Sequence, residues 1–298
     1  MLSRIVKVGL AGLLLCWGGN ARAETVAAVV SADVPAYRQA YQGFVGELRE
    51  RRPSAKVVYL DGSKTSNLAA SVRSRGAEVI FAVGTEAAQA AKDCGLPVVF
   101  VMVLDPGKAH LSGNCTGVSL NIPVTEQFRV MKAAMPALKE VGVIYNPARS
   151  GATVREGQAV ASSFGLRLRA IPANSEAELP RAMEKVKGVE LIWATVDATV
   201  YGSQSARYVL QYALRNNIPV MGFSENMVEA GALLAAYPDF ASMGAQGAGL
   251  VVRVLSGEPA GSIPAVSPRE VATCVNTRVA NALRVRLPAA FLKQAGRH

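Results

Sequence analysis

Histidine is nearly missing from this chain: His110 and the terminal His298 are the only two among 298 residues. That shortage argues against metal centres built on imidazole, and it leaves a serine or cysteine nucleophile without its usual base. Cysteine is sparse too. Past residue 23 only Cys94, Cys115 and Cys274 remain, an odd number without metal-ligand spacing. Two stretches approach a nucleophile elbow, 117–121 and 222–226, but each lacks the closing glycine. Gly244, Gly247 and Gly249 fall in a helical run, where close helix packing explains them better than a phosphate loop. No catalytic residue, cofactor or metal is therefore expected, and the chain does not read as an enzyme. The basic excess is scattered in short clusters such as 49–52 and 284–286, without the aromatic-interleaved stripe that nucleic-acid binding wants.

The N-terminus, by contrast, is rich in signal. Arg4 and Lys7 precede an apolar run over 8–17, and Ala21-Arg22-Ala23 gives the small-x-small pattern of a signal-peptidase site. The run is shorter than the about 20 residues that span a bilayer, so stable membrane insertion is not expected. Cys16 follows Leu13-Leu14-Leu15, and the missing small residue before it speaks against a lipid-anchored form. The expectation is cleavage after Ala23 and a periplasmic protein starting at Glu24. Losing residues 1–23 removes three of 32 basic residues, leaving 29 against 22 acidic, a net of +7. The excess reads first as an ordinary basic solvated surface, with attraction to an anionic membrane face or an acidic partner as the functional alternative.

Beyond Glu24, strand-like and helix-like stretches alternate, the mark of parallel α/β sheets. Strands are expected at 26–30, 56–60, 79–83, 97–103 and 116–120, with helices near 35–49, 66–74 and 86–92. A helix from about 125 stops at Pro136. A second series follows: strands at 141–145, 166–171, 191–196 and 219–223, with helices near 153–164, 176–186 and 203–215. Two doubly wound lobes lie end to end. Cys94 and Cys115 each precede a strand; if those strands are parallel neighbours, the thiols share one end of the sheet and either pair or stay free. Cys274, in an apolar late strand, reads as a packed thiol.

In parallel sheets ligands bind beyond the carboxyl ends of the strands, where helix N-termini offer free N–H groups. Small and polar residues gather at those turns in both halves: Ser31-Ala32-Asp33, Gly84-Thr85-Glu86, Asp105-Pro106-Gly107, Tyr145-Asn146-Pro147 with Ser150-Gly151, Val196-Asp197-Ala198-Thr199 and Gly222-Phe223-Ser224-Glu225. A carboxylate suits the turn at Thr85, an N-cap candidate. An ammonium suits Asp197, Asp105 or Glu225.

A set of motifs carries a family resemblance. Phe81-Ala82-Val83-Gly84-Thr85, Pro97-Val98-Val99-Phe100 leading to Asp105-Pro106, Asn114-Cys115-Thr116-Gly117-Val118-Ser119 and Val143-Ile144-Tyr145-Asn146-Pro147 occur in order. Ile218-Pro219-Val220, Val228-Glu229-Ala230-Gly231-Ala232-Leu233 and Val275-Asn276-Thr277-Arg278-Val279-Ala280 complete it. The ordered set resembles the ABC-transporter substrate-binding proteins of the tryptophan/tyrosine-transport type, with the type I periplasmic binding protein fold. Cys115 stands where that family usually has valine, and the loop 31–37 lacks its usual histidine.

The resemblance implies two parallel-sheet lobes joined by a three-strand hinge: 24–121 plus 238–263 as lobe one, 122–237 plus 264–298 as lobe two. The crossovers fall near Asn121, Pro238 and Pro264. It implies a receptor that closes on a small ligand, an amino acid or similar, and hands it to a cognate membrane permease. Strand-end position and family fit together assign Thr85 and nearby amides to an anionic end and Asp197 to a cationic end. Ser31, Asp105, Ser119, Ser224 and Glu225 are further ligand contacts. Two alternatives stay open: a receptor of the same fold feeding a chemoreceptor or sensor kinase, or an exported enzyme. A transcription regulator of this fold would need a helix-turn-helix where the export signal lies.

Overall fold

Apolar runs without alternation need cover on both faces, and the first half of the chain builds a sheet around them. A computed structural model describes residues 24–297; the expected export signal and Cys16 lie outside the described residues. The chain runs β1 (Thr25–Val30), α1 (Pro35–Arg51), β2 (Lys56–Asp61), α2 (Leu68–Ser74), β3 (Val79–Val83), α3 (Thr85–Ala91), β4 (Val98–Val103) and β5 (Cys115–Ser119). These strands form one parallel sheet in the order β2-β1-β3-β4-β5. Every residue of β3 and β4 is buried. Phe44 of α1 stacks on Phe81 with ring centroids 3.7 Å apart.

The chain then crosses into a second layer system. It comprises α4 (Val124–Ala134), β6 (Glu140–Tyr145), α5 (Pro147–Val160), β7 (Arg167–Pro172), α6 (Leu179–Lys185), β8 (Leu191–Trp193), α7 (Ala198–Tyr201), α8 (Ser205–Arg215), β9 (Val220–Gly222), α9 (Glu225–Glu229) and β10 (Leu234–Pro238). Next α10 (Phe240–Leu255) returns to the first sheet. Then β11 (Val271–Val275), α11 (Thr277–Ala282), α12 (Ala289–Gln294) and β12 (Gly296–Arg297) rejoin the second. Its strand order is β12-β11-β10-β9-β8-β6-β7. Pairing is parallel except between β10 and β11, which is antiparallel. That exception has a simple origin: β10 leaves toward the first lobe and β11 comes back from it.

The three passages between lobes lie side by side. Ser119 N donates to Val266 O at 2.9 Å, Val266 N donates to Gly117 O at 2.9 Å, and Asp239 N donates to Glu270 O at 3.1 Å. Gln246 of α10 fixes the third passage, donating to Ser267 O at 3.0 Å and accepting from Arg269 N at 3.1 Å.

Local boundaries moved in instructive ways. The helix expected at 153–164 begins at Pro147, because Asn146 caps it by accepting from Ala148 N and proline suits the first helical position. The helix expected at 203–215 is preceded by a separate short helix, α7, capped by Asp197, whose side chain accepts from Thr199 N. Cys94, Cys115 and Cys274 are free thiols, and Cys94 Sγ donates to Ala90 O. Burial pushes the Cys274 thiol up to about 11, consistent with packing and not with nucleophilic chemistry. Among the described residues no helix is long and apolar enough to cross a membrane.

The contact of α1 with α10 is made by glycine. A Cβ on Gly244 would lie 1.8 Å from Ala40 O, and one on Gly43 would lie 2.0 Å from Ala241 O. A Cβ on Gly247 would lie 2.7 Å from the Phe81 ring and 2.8 Å from a Val101 methyl, whereas nothing stands within 4 Å of Gly249. Two opposite outcomes are expected on thermal unfolding. Helix propensity favours alanine by about 1 kcal/mol, so Gly249→Ala stabilises slightly. In Gly244→Ala that gain is overwhelmed by backbone overlap, and the protein loses about 2 kcal/mol or more.

Candidate functional site

The carboxyl end of β4 is shaped by an extra residue. Val101 pairs with Val118 and Val103 with Ser119, so Met102 bulges out of register. It is buried and has φ of 60°, in the left-handed region that disfavours a methionine. The strand end is held there from two sides. Leu120 N donates to Val103 O at 2.9 Å, and Asn121 Nδ2 donates to Leu104 O at 2.7 Å. Leu104 and Asp105 thereby face a cleft between the lobes.

This cleft has a volume of about 680 Å³, within the range of small-molecule sites. Lobe one contributes Leu104, Asp105 and Lys108; the passages contribute Asn121, Ile122, Pro238 and Ser267. Lobe two contributes Arg149, Ser150, Glu156, Thr195, Val196 and Phe223. Charged groups of both signs therefore stand on both walls. Asp105 accepts from Lys108 N at 3.0 Å and pairs with Lys108 Nζ at 3.3 Å. The Lys108 backbone N–H is the main reason its carboxyl sits below the ordinary range. A further cavity of about 630 Å³ lies on the flank where α4, β11 and α12 meet, bordered by Arg129, Arg269 and Phe291. Its walls come from lobe two and the passages, so it lacks the two-lobed character of the cleft.

Gln127 of α4 connects the cleft to the core. It borders the cleft, donates to Ile122 O at 3.0 Å, and accepts from Trp193 Nε1 at 2.7 Å. Trp193 is fully buried and packs edge-on against Phe128, with centroids 5.2 Å apart.

Of the expected ligand contacts, Asp105 stands in the cleft wall. Ser119 adjoins Leu120 at the first passage. Ser31 and Thr85 lie at the carboxyl ends of β1 and β3 and are not among the residues lining the cleft. The Ser31 hydroxyl donates to Val83 O at 2.9 Å and accepts from Ala87 N at 2.9 Å, so it caps α3. Ser224 precedes α9 next to Phe223. Glu225 accepts from Tyr237 Oη, and burial, with this bond second, raises the Tyr237 phenol well above its ordinary value.

Asp197 differs from expectation most. It is 2% exposed, and its neighbours Val196 and Ala198 border the cleft while its own carboxylate turns inward. Oδ2 accepts from Asn146 N at 2.7 Å and Ser150 Oγ at 2.6 Å, and Oδ1 accepts from Thr199 N at 3.0 Å. Three donors from two turns hold this charge inside lobe two. Lys108, Gln127, Glu156 and Thr195 were not foreseen. Arg149 and Phe223 lie in turns recognised as polar strand ends, and that recurrence was the signal available for them.

The comparisons fit this geometry. Residues 25–298 match the family described as ABC transporter substrate binding protein. The chain belongs to that family. Among curated relatives it is 24% identical over 271 residues to a tyrosine-binding protein of Clostridioides difficile, covering 84% of this chain and 77% of the relative. A solved domain from Streptococcus pneumonia in complex with L-Trp shares 25% identity and a TM-score of 0.61, covering 93% of this chain and 99% of that one. A ligand-free, open substrate-binding protein with adhesive properties from Clostridium difficile gives 22% identity and a TM-score of 0.75, covering 92% and 99%. This ABC substrate-binding protein has the two-lobed fold of the type I periplasmic binding proteins.

The buried Asp197 network makes a stability prediction for this substrate-binding protein. Asp197→Ala strands three donors, two of them bonded to one buried oxygen, and is expected to cost about 3 kcal/mol. In a thermal melt of the empty protein this is a fall of roughly 6–12 °C. An unchanged melt would show that the carboxylate does not anchor these turns.

Proposed function

We propose that this protein is the extracytoplasmic receptor of an ABC uptake transporter and that it closes its cleft on an amino acid, with L-tyrosine and L-tryptophan as first candidates. The observation that carries the reading is the cleft itself, whose two walls come from different lobes and each hold both charge signs. Each end of a zwitterion then meets an opposite charge from both walls only when the walls approach. A ligand shifts a hinge equilibrium only through contacts that improve on closure, and this arrangement supplies them. The family match and the ligands named for two relatives support the ligand class.

In this reading 24–121 with 238–263 moves as one lobe against 122–237 with 264–298. Asp105 and Glu156 face the ammonium, and Lys108 and Arg149 face the carboxylate. Phe223, flanked by Ser224 and Glu225, offers an apolar surface to the side chain. Closure brings Ser31, Thr85 and Ser119 toward the ligand from lobe one. Asp197 acts from behind, holding the Asn146–Ser150 turn in place. A cognate permease receives the ligand outside the cytoplasm, after export through the N-terminal signal.

The test is a thermal-shift panel of amino acids, nucleobases, organic acids and sugars on protein stripped of carried-over ligand by unfolding and refolding. A ligand at about 100 times its dissociation constant adds roughly 2.7 kcal/mol, which raises the melting point by about 5–10 °C at this size. The expected result is a shift with one or a few amino acids, returned unaltered after incubation. A response confined to sugars or organic acids, or conversion of the ligand, contradicts the reading.

A further inference from the structure

Open sheet edges invite another strand, and folded proteins blunt them with charge, brevity or cover. Three of the edges here follow that rule. Val266 of the third passage covers β5, and β7 carries Arg167 and Arg169, both fastened to Glu140 of β6. The strand β2 begins at Lys56 and ends at Asp61, which pairs with Lys64. The fourth edge is different. β12 is two residues long and pairs only with Cys274 and Val275 of β11, which leaves Val271, Ala272 and Thr273 without a strand beside them. Asp239 N donates to Glu270 O at one end of β11, and Asn276 N donates to Leu233 O at the other. In this antiparallel register the even-numbered residues bond to β10, so the backbone amides of Val271 and Thr273 point away from it. All three open residues line the flank cavity of about 630 Å³, together with the apolar Val130, Ala133 and Phe291.

We propose that this edge is a docking site for an extended, acidic segment of a protein partner, which adds a strand beside β11. Outward amides at alternate residues match an extended backbone, and backbone bonds of this kind supply the affinity in strand addition. Charge sets the sign of the partner. Within the cavity Glu126 pairs with Arg129, and Asp239 accepts from Ser242 N at 2.7 Å as the cap of α10. Both carboxylates are thus engaged, whereas the Arg269 side chain forms no ion pair among the described residues. Lys293 and Arg297, also without ion pairs among the described residues, adjoin the lining residues Gln294 and Gly296. From Arg269 to Arg297 the chain holds six basic residues against one acidic, so an acidic segment is attracted to this flank and a basic one is repelled. The site lies outside the cleft and does not rest on the amino-acid reading.

The experiment measures fluorescence anisotropy of a labelled short peptide that alternates valine with glutamate, blocked at both ends. Saturable binding is expected, with none for the matching valine–lysine peptide. Thr273→Pro removes an outward N–H without touching the β10 ladder, and it is expected to weaken the acidic peptide by about tenfold or more. Arg269→Glu is expected to weaken it by about fivefold or more. Two further peptides carry N-methyl groups on every valine or on every glutamate. The one whose methyl groups face β11 loses binding and the other keeps it, because alternate amides of a strand point to opposite sides. These two are read on the unaltered protein, so the test stays decisive if Thr273→Pro fails to fold. No binding of the acidic peptide, equal binding of the two methylated peptides, or parent-like binding by Thr273→Pro overturns the inference. So does a dimer of the parent that dissociates in Thr273→Pro, since the edge then belongs to a second copy. Capture by anionic vesicles without peptide binding overturns it as well. None of these outcomes bears on amino-acid binding in the cleft.

Discussion

The whole arrangement depends on three chain passages that run beside one another between the lobes. Val266 sits between Gly117 and Ser119 in a two-bond bridge, and Asp239 N reaches Glu270 O. These short backbone bonds make the passages a single ribbon. Side chains from each lobe then fasten to it: Gln246 from α10 holds the third passage, and Gln127 from α4 holds the first. The cleft lies against this ribbon, which contributes Leu120, Asn121, Ile122, Pro238 and Ser267 to its lining.

Placing α10 in lobe one is what makes the passages necessary. The helix arrives from β10 of lobe two and is received by α1 through backbone-to-backbone contact at Gly43 and Gly244. A side chain at either glycine would push the two helices of lobe one apart. At the other end of that lobe the Met102 bulge turns Leu104 and Asp105 toward the cleft at the expense of a left-handed backbone. Such strain persists when its surroundings over-determine it, and here Leu120 and Asn121 of the first passage hold the strand end. The passage and the lobe-one wall are thus built from the same hydrogen bonds.

Much of the fold could be read from the chain because buried parallel strands leave an unmistakable mark. The runs at 26–30, 79–83 and 98–103 are apolar without alternation, and each became a strand covered on both faces. The glycines at 244 and 247 read correctly as packing residues; Gly249, which meets nothing, did not. What stayed hidden depended on distance in sequence. The antiparallel entry of β11 follows from where α10 docks, which no local pattern records. The commitment of Asp197 rests on donors 47 and 51 residues away. From its own turn it looked like a free carboxylate at a strand end. The start of α5 was, in contrast, a local signal passed over: asparagine followed by proline is a capped helix start as readily as a turn.

The central claim is that one ligand draws the two lobes together. Small-angle X-ray scattering on the stripped protein, with and without a saturating amino acid that binds, measures this directly through the radius of gyration. The account predicts a smaller radius with that ligand and no change with a sugar that does not bind. Binding at full occupancy with an unchanged radius would contradict it, because the lobes would then hold their ligand without closing.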